Sequence, residues 1–246
     1  METRSHETQI EIDAPLEEVW RAITDAPEIQ KWFAPEVTVT PGVGGKFSAS
    51  WGPGMEGTQF IEIWEPNRHL RLFEERAHTF GCTGDESTRT APVRLVVDYY
   101  LNSENGKTLL RLVHSGFGAS SDWDGEYDGT RQGWPGFFRV LKYTLERQPG
   151  KDVRNLNLFH TVPAGDANAL QAQLLSGFDL RGETWLEAPG FYQGVVDSLD
   201  GALVTIAASQ KPDLAHFYVN LTLYGCDPTR VAQVEQQWKQ ALENLS

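Results

Sequence analysis

The sequence predicts an α+β protein: a curved antiparallel sheet wrapped around one long amphipathic helix, followed by a second, smaller α+β domain. Three observations carry this. A strand–helix–helix opening leads into a long run of segments with period-two patterning. A stripe of Trp134, Phe137, Phe138, Leu141 and Leu145 then recurs at helical spacing and stops at Pro149-Gly150. Beyond that break the pattern restarts, with a strand, a helix, three strands and a closing helix.

The opening "TQIEIDAP" alternates Ile10 and Ile12 with Glu11 and Asp13, as a half-buried strand does. Pro15 suits a first helical turn, and Glu17 and Glu18 complement its positive end. Leu16, Val19, Trp20 and Ile23 give that helix one apolar face. A second short helix is predicted from Pro27 to Phe33, burying Ile29, Trp32 and Phe33. Strands follow at "GGKFSASW", "TQFIEIWEP" and "HLRLFEE", punctuated by "GPGMEG" and by Pro66-Asn67. "VRLVVDYYLN" and "TLLRLVHSGF" flank Asn105-Gly106, a strong tight-turn signal. Between Glu75 and Pro92 the patterning weakens, and a strand with a long loop is expected. The meander then has about six strands, and the first domain is expected over residues 1–148.

Residues 151–246 read as a β-α-β-β-β-α domain. Asp166 caps its first helix, and Asp227-Pro228 opens its last, which carries Val231, Val234, Trp238, Leu242 and Leu245 on one face. A shortened repeat of the first domain and an unrelated domain both fit this order.

Composition excludes several functions. Twenty-one basic against thirty-four acidic residues give a formal charge of −13, a field that repels nucleic acid and anionic membrane surfaces. No run of Lys and Arg offsets it, and no apolar stretch approaches a membrane span. The beginning of the chain reads as strand rather than signal peptide, so a cytoplasmic location is expected. Cys82 and Cys226 are expected to be free thiols.

The run "DWDGEYDGTRQGW" invites a calcium reading through Asp122, Asp124, Glu126 and Asp128. An EF-hand loop starting at Asp124 would place Pro135 at the twelfth position, where a bidentate Glu is needed, so no metal site is expected. The carboxylates instead suit a helix start, with Asp128 a candidate cap, and Trp123 and Tyr127 are candidate lid residues over a cavity. "HTFGC" pairs His78 with Cys82, too few ligands for zinc. Neither a nucleophile elbow nor a phosphate or dinucleotide loop is present, and no cofactor is expected.

Three stretches together resemble the SRPBCC superfamily, the START-like helix-grip fold, and within it the branch of the activators of the heat-shock protein 90 ATPase. They are "IEIDAPLEEVWRAITDAPEIQKWF", "TLLRLVHSGF" with Thr108, Leu110, Leu112, His114, Gly116 and Phe117, and the closing "GWPGFFRVLKYTLE". The resemblance implies a cavity between sheet and helix that commonly holds an apolar or aromatic small molecule, and it implies no single activity. The clustered His and Asp iron ligands of the oxygenase relatives are absent from the sequence.

Aromatic residues placed to line such a cavity are Trp51, Phe60, Trp64, Tyr99 and Phe117, together with Trp123, Trp134 and Phe138. Leu112 and His114 share the inward face of their strand. His114 is the one weak catalytic candidate, since Asp98 reads as outward and the inward face of "FIEIW", including Glu62, is left open. The expected function is therefore binding of an apolar or aromatic small molecule without catalysis. The alternatives are a cyclase- or hydrolase-like enzyme using His114 and a chaperone-regulating interaction protein. The second domain is expected to cap the cavity or to form a homodimer contact.

Overall fold

The computed structural model describes residues 2–52, 54–76, 93–163, 166–211 and 213–245. His78, Cys82 and most of the segment between Glu75 and Pro92 lie outside the described residues. The chain divides into two compact units, Met1–Pro149 and Gly150–Ser246.

In the first unit, β1 (Thr3–Ile12) leads into α1 (Leu16–Thr24) and the single-turn α2 (Ala26–Ile29). Six further strands follow: β2 (Glu36–Val39), β3 (Lys46–Ser50), β4 (Glu56–Glu65), β5 (His69–Arg76), β6 (Val93–Glu104) and β7 (Lys107–Gly118). They form one antiparallel seven-stranded sheet in the order β1-β7-β6-β5-β4-β3-β2. The β6–β7 hairpin turns at Asn105 and Gly106, with φ of 53° and 83°, the paired positive values a two-residue turn of the favoured hand requires. Strand β2 is absent from the sequence reading, because four residues with alternating exposure carry too little pattern.

Two bulges set which side chains face inward. In β4 the register with β5 shifts between Ile61 and Ile63, so Ile61 opposite Leu72 and Trp64 opposite Leu70 share the inner face. That shift resolves the face left open by the sequence. Phe60 faces outward at 41% exposure, and Trp64 packs edge-on against Trp20 of α1. In β7 the second bulge falls at Gly116, where φ is +93° and an added Cβ would lie 1.9 Å from the Arg94 carbonyl oxygen. Only glycine fits there, and the extra residue brings Phe117 to the same side as His114.

The long helix α3 (Asp124–Arg147) closes the unit, preceded by a 3-10 turn at Ser121–Trp123. It runs through Pro135 rather than starting after it. The acidic run is therefore helical, and its carboxylates meet arginines. Asp124 pairs with Arg4 at 2.5 Å, Glu126 with Arg76, and Asp128 with Arg131 at 3.2 Å. Asp128 sits inside the helix and caps nothing; the N-cap position is Trp123 and makes no side-chain cap. These pairings give the carboxylates their place without a metal loop.

The second unit contains β8 (Val153–Pro163), α4 (Ala167–Ser176), β9 (Gly182–Ala188), β10 (Phe191–Val196), β11 (Ala202–Lys211), β12 (Leu214–Tyr224) and α5 (Pro228–Glu243). Asp166 and Asp227 cap the two helices through backbone N–H groups at 2.9 and 2.8 Å. The unit has one strand more than the sequence reading gave it. Strand β9 is an edge strand exposed at nearly every position, with Glu183 and Glu187 blunting it, so it lacks the apolar alternation that marks the others. Its sheet order, β8-β12-β11-β10-β9, places the first strand beside the last and then runs backward. The larger sheet follows the same plan. Trp238 of α5 stacks on Phe178 at 3.8 Å, within a core that includes Phe217 and Leu221.

Candidate functional site

A cavity of about 610 Å³ opens between the inner face of the first sheet and α3. The alternation of each strand supplies its wall: Phe47 and Ala49 from β3, Gly57 and Gln59 from β4, Val97 and Tyr99 from β6, and His114 from β7. On β5 the inward positions change from Leu70 and Leu72, in the core, to Glu74 and Arg76, at the cavity. The opposite wall is one face of α3, where Gly125, Gly129 and Gly133 alternate with Glu126, Thr130, Trp134 and Phe137.

One side of the cavity is an aromatic cluster. Phe33 stacks on Trp134 at 5.5 Å with planes 3° apart, and meets Trp51 and Phe137 edge-on at 4.9 and 5.1 Å. The Trp51 indole N–H donates to the Phe33 carbonyl at 3.0 Å, which fixes the ring. Tyr99 meets Trp134 edge-on at 6.0 Å, and burial raises its phenol pKa.

The polar groups gather around β5. Arg76 pairs with Glu126 and, at 3.3 Å, with Glu74. Burial raises the Glu74 carboxyl above its ordinary range and Glu126 adds repulsion, while Arg76 and Gln59 pull it back.

His114 is 6% exposed. Its Nδ1 accepts the Trp134 indole N–H at 3.2 Å, and its Nε2 has no partner among the described residues. Burial, His6 and Arg76 push its pKa down to about 3, so the ring is neutral. Asp98 is not available to it. That carboxylate lies on the outer face, takes Arg71 at 2.7 Å and contacts His69 at 2.6 Å. Glu62 is likewise engaged outside, by Arg94 at 2.7 Å.

Of the residues expected to line a cavity, the structure gathers Trp51, Tyr99, His114 and Trp134 around it. Phe60 is on the outer surface, and Trp64 serves the packing of α1. Leu112, Phe117 and Phe138 are buried at 0–1% exposure and outside the lining. Trp123 is no lid: it is 2% exposed and packs under Val93, Leu95 and Phe117. Tyr127 donates its hydroxyl to the Ser5 carbonyl at 3.2 Å, which ties it to β1. Missed by sequence reasoning were Phe33 and Phe137, which read as packing residues of their helices, Phe47, which entered only as part of a strand, and the three glycines Gly125, Gly129 and Gly133. The recurrence of glycine every fourth residue was the available signal, since that spacing returns to one helical face.

Among the described residues no three His, Cys, Asp or Glu side chains group as metal ligands, and no helix is long and apolar enough to cross a membrane. Cys226 is a free thiol.

No curated protein matches the chain. Among solved structures it is similar to the protein MLL2253 from Mesorhizobium loti, at 31% identity over 58% of this chain and 98% of that one, with a TM-score of 0.46. CalU16 from Micromonospora echinospora follows at 23% identity over 59% and 78%, TM-score 0.45. DynU16, a protein of the dynemicin biosynthetic locus, aligns over 97% of this chain and 95% of its own at 14% identity, TM-score 0.46. Residues 13–146, more than half of the chain, match the family model described as Activator of Hsp90 ATPase homolog 1-like protein. The chain belongs to that family, a branch of the START-like SRPBCC superfamily.

Proposed function

We propose that the first unit binds an apolar or aromatic small molecule in the cavity between its sheet and α3, without chemical turnover. The observation that carries this reading is the lining itself. A space of about 610 Å³, walled by Phe33, Trp51, Trp134 and Phe137 with a few polar groups at one side, has the size and make-up of a small-molecule pocket. Acid–base catalysis through His114 has less behind it. A neutral imidazole hydrogen-bonded to an indole lacks the carboxylate that would orient it and stabilise its cation, and both nearby candidates are occupied by arginines on the other face.

Binding is tested by titrating the full chain with a panel of fused-ring aromatics and fatty acids, read by tryptophan fluorescence and native mass spectrometry. Trp51 and Trp134 are in the wall, so a bound aromatic ring quenches them. Micromolar binding that weakens in Phe137→Ala is expected. Absence of binding by every member of the panel would refute the proposal.

A further inference from the structure

We infer that the free edge of β8 pairs with β8 of a second copy of this chain, joining two five-stranded sheets into one across a two-fold axis.

Strand β8 ends its sheet, with β12 as its one strand neighbour among the described residues. Which of its backbone groups face away follows from that pairing. The Gly225 N–H donates to the Asp152 carbonyl at 2.8 Å, and the register then runs without a shift to Pro163 opposite Leu214. In an antiparallel ladder, hydrogen-bonded and non-hydrogen-bonded pairs alternate. The even-numbered residues from Arg154 to Val162 therefore bond to β12, while Val153, Asn155, Asn157, Phe159 and Thr161 turn N–H and C=O outward. Pro163 falls in the outward set, the side on which a sheet tolerates a residue without an N–H.

The occupant follows from charge. Each copy carries a formal charge of −13, so two copies repel unless they meet where acids are missing. Natural sheet edges are commonly protected by charged side chains. Three of the four edges here carry glutamates: Glu7 and Glu11 on β1, Glu36 on β2, and Glu183 and Glu187 on β9. Strand β8 has no acidic residue in its 11 positions, and its one formally charged side chain is Arg154. It also leaves Phe159 at 55% exposure, so an apolar ring stands in water beside the open edge.

The register follows from the outward set. A two-fold axis at Asn157 sets Val153 opposite the partner's Thr161, Asn155 opposite the partner's Phe159, and Asn157 opposite its own copy. The five outward residues then face one another along the whole junction. On the core side Leu156 falls opposite the partner's Leu158. Leu158 belongs to the apolar core and Leu156 packs against it, so the core continues across the junction. The contact is isologous and uses up both β8 edges, which stops assembly at two copies.

Sedimentation velocity of the full chain over a concentration series should show a species of twice the 27.5 kDa chain mass. Phe159→Pro removes an outward N–H that β12 does not use, and should be monomeric where the wild type is dimeric. Phe159→Glu restores an acid to the edge and should weaken association about tenfold or more. The exposed Phe159 side chain lets this second variant fold even where the proline does not, which its thermal transition checks. A wild type that stays monomeric up to hundreds of micromolar would overturn the inference. So would a dimer that a folded Phe159→Glu leaves unchanged.

Discussion

Replacing Gly129 with alanine should make the protein more stable and its cavity a poorer site. Gly129 lies well inside α3, at a position with ordinary helical φ, and a Cβ there would meet no atom within 4 Å. Nothing clashes, so the full difference in helix propensity should be realised, about 0.8–1.0 kcal/mol in favour of alanine. For a chain of this length, that raises the melting temperature by about 2–4 °C. Six of the eight tryptophans lie in residues 1–149, so intrinsic fluorescence reports mainly on the unit that contains the substitution.

The same methyl group is added to the cavity wall, of which Gly129 is part. An overpacked contact costs about 1–3 kcal/mol, so affinity for a flat aromatic ligand should fall about fivefold or more. The two measurements move in opposite directions, which a purely structural role for Gly129 does not produce. A lower melting temperature would refute the claim that the fold has no need of glycine here. A higher one with unchanged affinity would refute a role for this glycine in the cavity wall.

Acid should destabilise the protein through His114. Its native pKa is lowered to about 3 by burial, so between pH 6.5 and 3 the unfolded chain binds the extra proton and stability falls as pH falls, by about 1.4 kcal/mol per pH unit from this group. His6, whose pKa burial also lowers, and Arg76 face it and remain in the variant, so urea midpoints at pH 7, 6 and 5 should draw closer in His114→Gln without coinciding; an unchanged slope would count against a buried neutral ring. Gly116→Ala should cost on the order of 3 kcal/mol or more in denaturant unfolding, because its Cβ would sit 1.9 Å from a backbone oxygen; a near-neutral result would deny the bulge. Asp98→Ala should cost about 1–3 kcal/mol by leaving buried polar partners unpaired, discounted because the Arg71 side chain is 34% exposed. Ligand affinity should not change, since Asp98 faces away from the cavity, and a change would place it in the site.

Much of the fold was legible because burial writes itself as period. Leu95, Val97, Tyr99 and Leu101 alternate along β6, and all are buried. What the sequence could not report were changes of parity. A strand that gains one residue at a bulge turns its later side chains to the other face, and no local pattern announces the register of its neighbour. Phe60 and Trp64 show the consequence: they share a face by simple alternation, yet the register shift between Ile61 and Ile63 sends one out and the other in. Edge strand β9 was invisible for the opposite reason, having almost no buried position to set a period.

The stretch from Asp122 to Trp134 was misread because its local chemistry points away from its structure. Glycines and short acids favour loops in isolation, and Pro135 ordinarily blocks a helix interior. Here long-range contacts prevail: Arg4 from β1 and Arg76 from β5 hold Asp124 and Glu126, and α3 packs along β1. Composition was therefore the wrong statistic for this run, and spacing the right one. Acids two residues apart look like a metal loop, but glycines four residues apart describe one face of a helix. A helix that accepts three weak formers on its cavity side, then recovers order from ion pairs at its first turns, has exchanged intrinsic stability for an open wall. That exchange accounts for glycines that neither the backbone nor the packing requires, and it ties the oddest stretch of the sequence to the cavity.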